Sequence, residues 1–372
     1  MIFNKLRASL QGQPKKAPFQ TRAGSERWKQ QPAGQRRHTV RVVDVVRETP
    51  NASTFVVSFP DDGSVRYRAG QYLTVLCDVD GLTYRRAYSF SSSPEAGQPP
   101  AITVKRVGGG IVSNHLNDRV RPGDTFEVLG PNGEFTLADT PDRSGVKEYV
   151  LVAGGSGITP LMSLAQTVLA GDRGCRVLLL YGNRSRGEII FRDRLAELER
   201  KEPRLAVRHW IEDCDDEGRA SKGRLTGDAV VDAVDSIGGR LFYVCGPEAM
   251  MDSVEARLLD AGVARDCISL ERFTFAARPS AHRPTEGFPI HFADRDVVVR
   301  AAAGQTILEA GLAAGLPLAF SCTMGGCGAC KLRVRKGSVV MDEPNCLSPA
   351  EAAAGHVLAC VGYAAEPLTV QS

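Results

Sequence analysis

Tyr149-Val150-Leu151-Val152-Ala153-Gly154-Gly155-Ser156-Gly157-Ile158-Thr159-Pro160 is the stretch on which the fold turns. Its first five residues are continuously apolar, as a strand buried on both faces requires. Glycines follow, then a run that reads as a helix from about Pro160 to Leu169. Proline suits the first turn of a helix, where its missing N–H has no partner to lose. Glycines let backbone approach a pyrophosphate, and a helix N-terminus favours its charge. Gly155, Gly157, Thr159 and Pro160 are therefore candidate nucleotide-binding residues.

Strand and helix keep alternating after this turn. Val177–Tyr181, Leu205–Ile211 and Leu241–Cys245 read as strands, and Phe191–Arg200 and Pro247–Leu259 as helices. That alternation predicts an α/β domain with a parallel sheet covered on both faces, over residues 146–275. Before Tyr149 the texture differs. Short β runs such as Gln71–Cys77 and Thr83–Phe90 are separated by breakers such as Asp80-Gly81 and Pro122-Gly123. This pattern predicts an antiparallel β-barrel over 39–145.

Residues 276–287 read as a linker, with Pro279 and Pro284. Residues 288–372 then read as a small α+β unit: a hairpin, a helix over about Thr306–Ala314, a cysteine loop and more short strands. Cys322, Cys327 and Cys330 give C-x4-C-x2-C, and Cys360 follows much later. This matches plant-type [2Fe–2S] spacing. Three thiolates come from one tight loop and the fourth from a distant segment. A structural zinc site is the alternative, but zinc prefers paired C-x2-C units or added histidines.

The C-terminal unit resembles the plant-type ferredoxins. The resemblance rests on Ser321-Cys322-Thr323-Met324-Gly325-Gly326-Cys327-Gly328-Ala329-Cys330 and on Leu347, Glu351 and Gly355-His356-Val357-Leu358-Ala359-Cys360. It implies a β-grasp-like fold, with Cys322, Cys327, Cys330 and Cys360 as cluster ligands. Cys346 lies near but fits no ligand position.

The rest of the chain after about residue 39 is similar to the ferredoxin–NADP reductase family. The glycine turn matches its nicotinamide-binding turn, and Tyr243-Val244-Cys245-Gly246-Pro247 its Cys-Gly-Pro segment. The resemblance implies that Cys245, Gly246 and Pro247 lie by the nicotinamide ring. A nucleophilic Cys245 is the alternative, without a nearby histidine to activate it. Glu271-Arg272-Phe273 closes the domain, and the resemblance implies an aromatic, Phe273, near a flavin. Arg86-Ala87-Tyr88-Ser89 matches R-x-Y-S, Gly109-Gly110-Ile111-Val112-Ser113-Asn114 resembles G-x-x-S, and Pro131-Asn132-Gly133-Glu134-Phe135 matches a third segment. By this resemblance Arg86 neutralises a flavin phosphate, Tyr88 packs on the isoalloxazine and Ser89 bonds near N5. Gly110, Ile111, Val112 and Ser113 hold the pyrophosphate, with Lys105 a further candidate contact. The G-x-x-S segment before a helix favours FAD over FMN.

After the second strand come Asn183, Arg184, Ser185 and Arg186. Arginine accommodates a ribose 2′-phosphate where an acid would bind the free hydroxyl. Arg184 and Arg186 therefore lean the reading to NADPH over NADH; an ordinary solvated charge run is the alternative.

The order of flavin barrel, nicotinamide domain and ferredoxin is similar to that of oxygenase and desaturase reductases, phenylacetyl-CoA epoxidase and ketosteroid 9α-hydroxylase reductases among them. It implies an NAD(P)H:acceptor oxidoreductase with FAD and [2Fe–2S], in which Ser89 and Cys245 are the catalytic candidates. Electrons would pass to a separate terminal oxygenase, hydroxylase or desaturase. A reductase of the hybrid-cluster type and a redox-sensing module with the same cofactors are the alternatives.

Composition sets the outer bounds. Lys and Arg number 46 against 43 Asp and Glu, a net charge of +3 that does not argue for nucleic acid. Residues 1–38 hold nine of those cations and one acid, Glu26, among prolines, glycines and glutamines. They read as a basic, disordered tail; a peripheral contact with an acidic partner or anionic lipid is the functional reading. No uninterrupted apolar run approaches membrane-spanning length. Ten cysteines without a preceding signal-peptide core point to a reducing, cytoplasmic compartment.

Overall fold

The computed structural model describes residues 32, 34–60, 65–137, 146–171, 174–213, 220–234, 236–273 and 280–371. The first unit comprises β1 (Arg37–Thr49), β2 (Ala52–Ser58), β3 (Tyr72–Val79), β4 (Leu82–Ser89), β5 (Ala101–Lys105), α1 (Ile111–Arg119) and β6 (Thr125–Asn132). Its strands run antiparallel in the order β4-β3-β6-β1-β2-β5, and Phe90 bridges Ile102 to draw the outer strands together into a barrel. Alternation fills the inside: Phe55 and Val57 meet Leu73, Val75, Val104 and Val128. Strand β3 is buried on its other face as well. Thr74, on that face, is fully buried and its hydroxyl bonds that of Ser321 in the C-terminal unit.

The second unit holds β7 (Glu148–Gly154), α2 (Ile158–Gly171), β8 (Arg176–Asn183), α3 (Arg192–Lys201), β9 (Leu205–Ile211), β10 (Ser221–Lys222), α4 (Gly227–Ala233), β11 (Arg240–Gly246), α5 (Glu248–Asp260) and β12 (Ile268–Arg272). The sheet order is β10-β9-β8-β7-β11-β12, parallel throughout. Both faces are covered, which explains the unbroken apolar runs. Tyr149, Leu151 and Ala153 pack against α2, while Val150 and Val152 pack with Val230, Val254 and Leu258 of α4 and α5. Helix α4 and strand β12 add to the elements marked by the sequence pattern; α4 is short and is started by Thr226, whose hydroxyl accepts from the Ala229 N–H. The outward side of α2 is locked to the barrel. Ser163 and Gln166 donate to the carbonyls of Ser92 and Ser91.

The third unit comprises β13 (Pro289–Phe292), β14 (Val297–Arg300), α6 (Ile307–Ala313), β15 (Lys331–Lys336), β16 (Val339–Met341), α7 (Pro349–Ala353), β17 (His356–Leu358), β18 (Gly362–Ala364) and β19 (Leu368–Gln371). Its main sheet is mixed, in the order β14-β13-β19-β15-β17, with β13 and β19 parallel. Helix α6 is fixed by a reciprocal cap: the Glu309 N–H donates to the Thr306 hydroxyl and the Thr306 N–H to the Glu309 carboxylate. Ser348 and Glu351 cap α7 in the same way.

Two boundaries differ from the sequence pattern. Strand β1 begins at Arg37, within the span that reads as a tail, because Arg37 pairs with Leu129 and forms an ion pair with Glu127. Residues 1–31 and 33 of that tail lie outside the described residues, as does Cys214. Of the stretch that reads as a linker, 280–287 is described and is fastened to the third unit. The Ser280 N–H and the Arg283 guanidinium both bond the buried Asp342 carboxylate, and Arg283 lies 4.7 Å over the Tyr363 ring. No helix among the described residues is long and apolar enough to cross a membrane.

Candidate active site

A cavity of about 870 Å³ opens where the three units meet. The barrel contributes Arg86, Tyr88, Ser89 and Lys105, together with Gly110, Ile111, Val112 and Ser113 at the start of α1. The α/β unit contributes Ser156, Thr159, Glu271 and Phe273, and the C-terminal unit Cys322 and Cys327. Most of the residues marked for flavin by sequence thus line one space.

The barrel end of the cavity suits a phosphorylated ligand. Helix α1 has no side-chain cap at Gly110, so the N–H groups of its first turn open toward the cavity. A Cβ at Gly110 would lie 2.7 Å from the Ser113 hydroxyl, so the turn needs glycine there. The Ser113 hydroxyl accepts from the Val107 N–H and fixes the loop. Burial lowers the basicity of Arg86, whose guanidinium donates to the Arg85 carbonyl and is not ion-paired among the described residues. Lys105 differs: its ammonium is 3.1 Å from the Glu188 carboxylate, an ion pair across the barrel and α/β units. Burial keeps the Tyr88 phenol protonated. An amide-lined helix start, an unpaired cation and a neutral tyrosine form a set that fits a flavin and its phosphates.

The glycine turn and the Cys-Gly-Pro segment meet at the switch point of the parallel sheet. From β7 the chain builds outward through β8 and β9, whereas β11 sits on its other side. Ligands of such sheets bind in the crevice at the carboxyl ends of the strands beside this point. The two turns interlock closely. A Cβ at Gly157 would lie 2.0 Å from the Cys245 carbonyl oxygen, and one at Gly246 2.9 Å from the Gly154 nitrogen. Gly155 has φ of 52° and faces the Lys105 ammonium. The Thr159 hydroxyl donates to the Ser156 carbonyl, and Pro160 is buried in the first turn of α2. Pro247 is exposed before α5.

Cys245 is wholly buried and does not itself line the cavity. Burial and then the nearby Glu271 push its thiol well above the ordinary range, which leaves it protonated and poorly suited to nucleophilic attack. Arg184 and Arg186 are exposed just beyond β8, outside the cavity wall.

The four cysteines of the C-terminal unit are free thiols that fall into two neighbouring pairs, Cys322 with Cys327 and Cys330 with Cys360. Among the described residues no three His, Cys, Asp or Glu side chains gather as one metal ion would need. Two pairs suit a cluster of two irons, each held by two thiolates. Backbone N–H groups already point at the sulfurs: Met324 toward Cys322, Cys322 toward Cys327, and Gly325 toward Cys360 at 3.2 Å. Gly325 and Gly328 take the positive φ values of 76° and 71° that turn the loop. This donor set fits a [2Fe–2S] cluster. Cys346 lines the cavity near Gly328, and burial pushes its thiol up to about 12.

Three further residues belong to the site. Glu271 accepts a hydrogen bond from the Ser89 hydroxyl at 3.4 Å, and burial raises its carboxyl to about 8. Its only sequence signal is an acid near the end of the last strand of the α/β unit. Tyr72 lines the cavity, its ring packed on Gly133 and its phenol close to the Cys327 thiol. Arg85 is fully buried beneath the cluster loop. Its signal is the pair Arg85-Arg86 in one strand, since adjacent residues face opposite sides.

Comparison with known proteins agrees with this division. Residues 39–137 match the oxidoreductase FAD-binding domain, 151–256 the oxidoreductase NAD-binding domain and 290–365 the 2Fe-2S iron-sulfur cluster binding domain. The chain is 34% identical to one of the component proteins of 1,2-phenylacetyl-CoA epoxidase from Escherichia coli K12, over 87% of this chain and 94% of that protein. It is 32% identical to the ferredoxin reductase component of 3-ketosteroid-9-alpha-monooxygenase from Rhodococcus rhodochrous, over 88% and 95%. Phthalate dioxygenase reductase superposes with a TM-score of 0.62 at 25% identity, over 91% and 98%. The chain spans only 41% of an intact type IV self-sufficient cytochrome P450 monooxygenase that it also resembles, at 26% identity over 90% of this chain with a TM-score of 0.67.

Proposed function

The chain belongs to the family of three-domain FAD, NAD and [2Fe–2S] reductases that serve oxygenases, and from that premise we propose how its residues divide the work. The single observation that carries the reading is the shared cavity, which brings Ser89, Thr159 and Cys327 to one wall system. With both groups bound, a two-electron hydride donor is coupled to one-electron delivery.

In this reading Arg86 and the first-turn amides of α1 bind the flavin phosphates, and Tyr88 covers the ring. The crevice between the Gly157 turn and Cys245-Gly246 orients the nicotinamide toward Ser89. Glu271 holds a proton beside Ser89, so no fixed negative charge stands where hydride arrives. Tyr72 joins the flavin end to Cys327, and the four thiolates hold the irons. Arg184 and Arg186, exposed just beyond β8, are the guanidinium groups that would pair with a ribose 2′-phosphate, which favours NADPH as the donor. The acceptor is a separate oxygenase, hydroxylase or desaturase in the cytoplasm.

Colour and turnover test the reading together. Purified protein should carry flavin and cluster absorbance that NAD(P)H bleaches within the time of one turnover. Coloured protein that NAD(P)H does not bleach would overturn it.

A further inference from the structure

Residues 288–372 hold six Lys and Arg against seven Asp and Glu, and this near-balance conceals a separation. Strand β15 carries Lys331, Arg333, Arg335 and Lys336, with Leu332 buried and Val334 half-buried beneath them. Alternate residues of a strand share a face. Lys331 and Arg333 therefore share one exposed face, and Arg335, at a register shift between Val334 and Lys336, joins them there by donating to Gln371, the partner of Arg333. The flanking strands β17 and β19 contribute no carboxylate; His356 and Gln371 stand opposite Arg333. Glu351 takes Lys331 at the cavity mouth. Among the described residues neither Arg333 nor Arg335 is ion-paired, and Arg335 donates to Gln371.

These cations are rooted at the cluster. Lys331 directly follows Cys330, and the Ala359 N–H bonds the Cys330 carbonyl at 3.0 Å, next to Cys360. At about 3.3 Å per residue, Arg333 stands about 10 Å and Arg335 about 17 Å along the strand from Cys330. Like charges on one face repel, and an opposite charge on a docked protein relieves that repulsion.

We propose that the outer face of β15 is the docking surface for the electron acceptor, and that the acceptor meets it with an acidic surface. This rests on the reductase reading above. Complementary charge would steer the encounter and set its orientation with the cluster beside the contact. One NAD(P)H supplies two electrons, so two one-electron acceptors are reduced in succession at the same face.

The test uses two haem proteins as probes, acidic cytochrome b5 and basic cytochrome c, with the full-length holoenzyme. At low ionic strength Arg333→Glu with Arg335→Glu should lower kcat/KM for cytochrome b5 by roughly tenfold and raise it for cytochrome c. Raising salt to a Debye length of about 8 Å should shrink both differences. The doubly neutral Arg333→Gln with Arg335→Gln should fall between. NAD(P)H bleaching of the flavin should match the parent in all variants. Equal changes for both cytochromes, or none, would overturn the docking surface. If NAD(P)H fails to bleach the parent protein, the reductase reading falls and the docking proposal falls with it.

Discussion

Arg85 of the flavin barrel lies 4.6 Å over the Phe320 ring, just before the cluster loop, and its guanidinium reaches the Ser321 carbonyl. It is fully buried, and burial lowers its basicity to about 10, offset in part by the nearby thiols of Cys322 and Cys327. A buried cation here does two things. It clamps the C-terminal unit to β3 and β4, and it favours added negative charge on the cluster.

Arg85→Met should therefore leave NAD(P)H bleaching of the flavin intact while slowing cluster reduction about tenfold. The cluster midpoint potential should fall by tens of millivolts, a tenfold change being about 59 mV for one electron. Arg85→Lys should restore part of the potential. Redox titration of the cluster checks this; an unchanged potential would leave Arg85 with a packing role alone.

Glu271 predicts a pH dependence of definite sign. Its carboxyl is raised from 4.5 to about 8, so it is protonated at neutral pH. Flavin reduction by NAD(P)H should be level below that value and fall as the carboxylate forms above it. Glu271→Gln should flatten the alkaline fall. The same shift links to stability. The folded state holds the proton more tightly, so this contribution is complete below about 4.5 and is lost as pH rises through about 8. Unfolding midpoints of parent and variant across that window check the sign.

The nucleotide preference is tested at Arg186. Arg186→Ala should raise KM for NADPH roughly tenfold, the scale of one lost charge-assisted contact, and change KM for NADH little. Steady-state kinetics with both donors decide it; equal effects would remove the case for NADPH.

Tyr72 is expected to act on both sides of the cavity. Tyr72→Phe removes the hydroxyl that lies near Cys327 but keeps the ring packed on Gly133. The cluster potential should drop while flavin content stays unchanged. A potential equal to that of the parent would show that the hydroxyl has no hold on the cluster.

What the sequence announces are features carried by local pattern. The apolar run Tyr149–Ala153, its glycine turn and the C-x4-C-x2-C loop each lie within a dozen residues, and each takes the conformation its residue types favour. What it conceals depends on docking between units. Thr74 and Ser321 are 247 positions apart, and nothing in either neighbourhood marks the other. Glu271 becomes a proton-holding group only where the end of β12 meets Ser89 of β4. Lys105, a candidate phosphate contact that lines the cavity, also meets Glu188 from the α/β unit, a partner its own neighbourhood does not mark. The cations of β15 are visible as letters, but the balanced total hides that they share a face.

In the proposed function electrons pass in sequence through one cavity, from nicotinamide to flavin to cluster. Anaerobic mixing of the holoenzyme with one equivalent of NAD(P)H, followed by absorbance and by electron spin resonance of frozen samples, tests it most directly. Flavin bleaching should come first and a reduced-cluster signal second. In Cys330→Ser the first phase should persist, along with ferricyanide reduction, while the second phase and cytochrome c reduction disappear. Loss of both phases together in Cys330→Ser protein that still holds its flavin, or a cluster signal that precedes flavin bleaching, would contradict it.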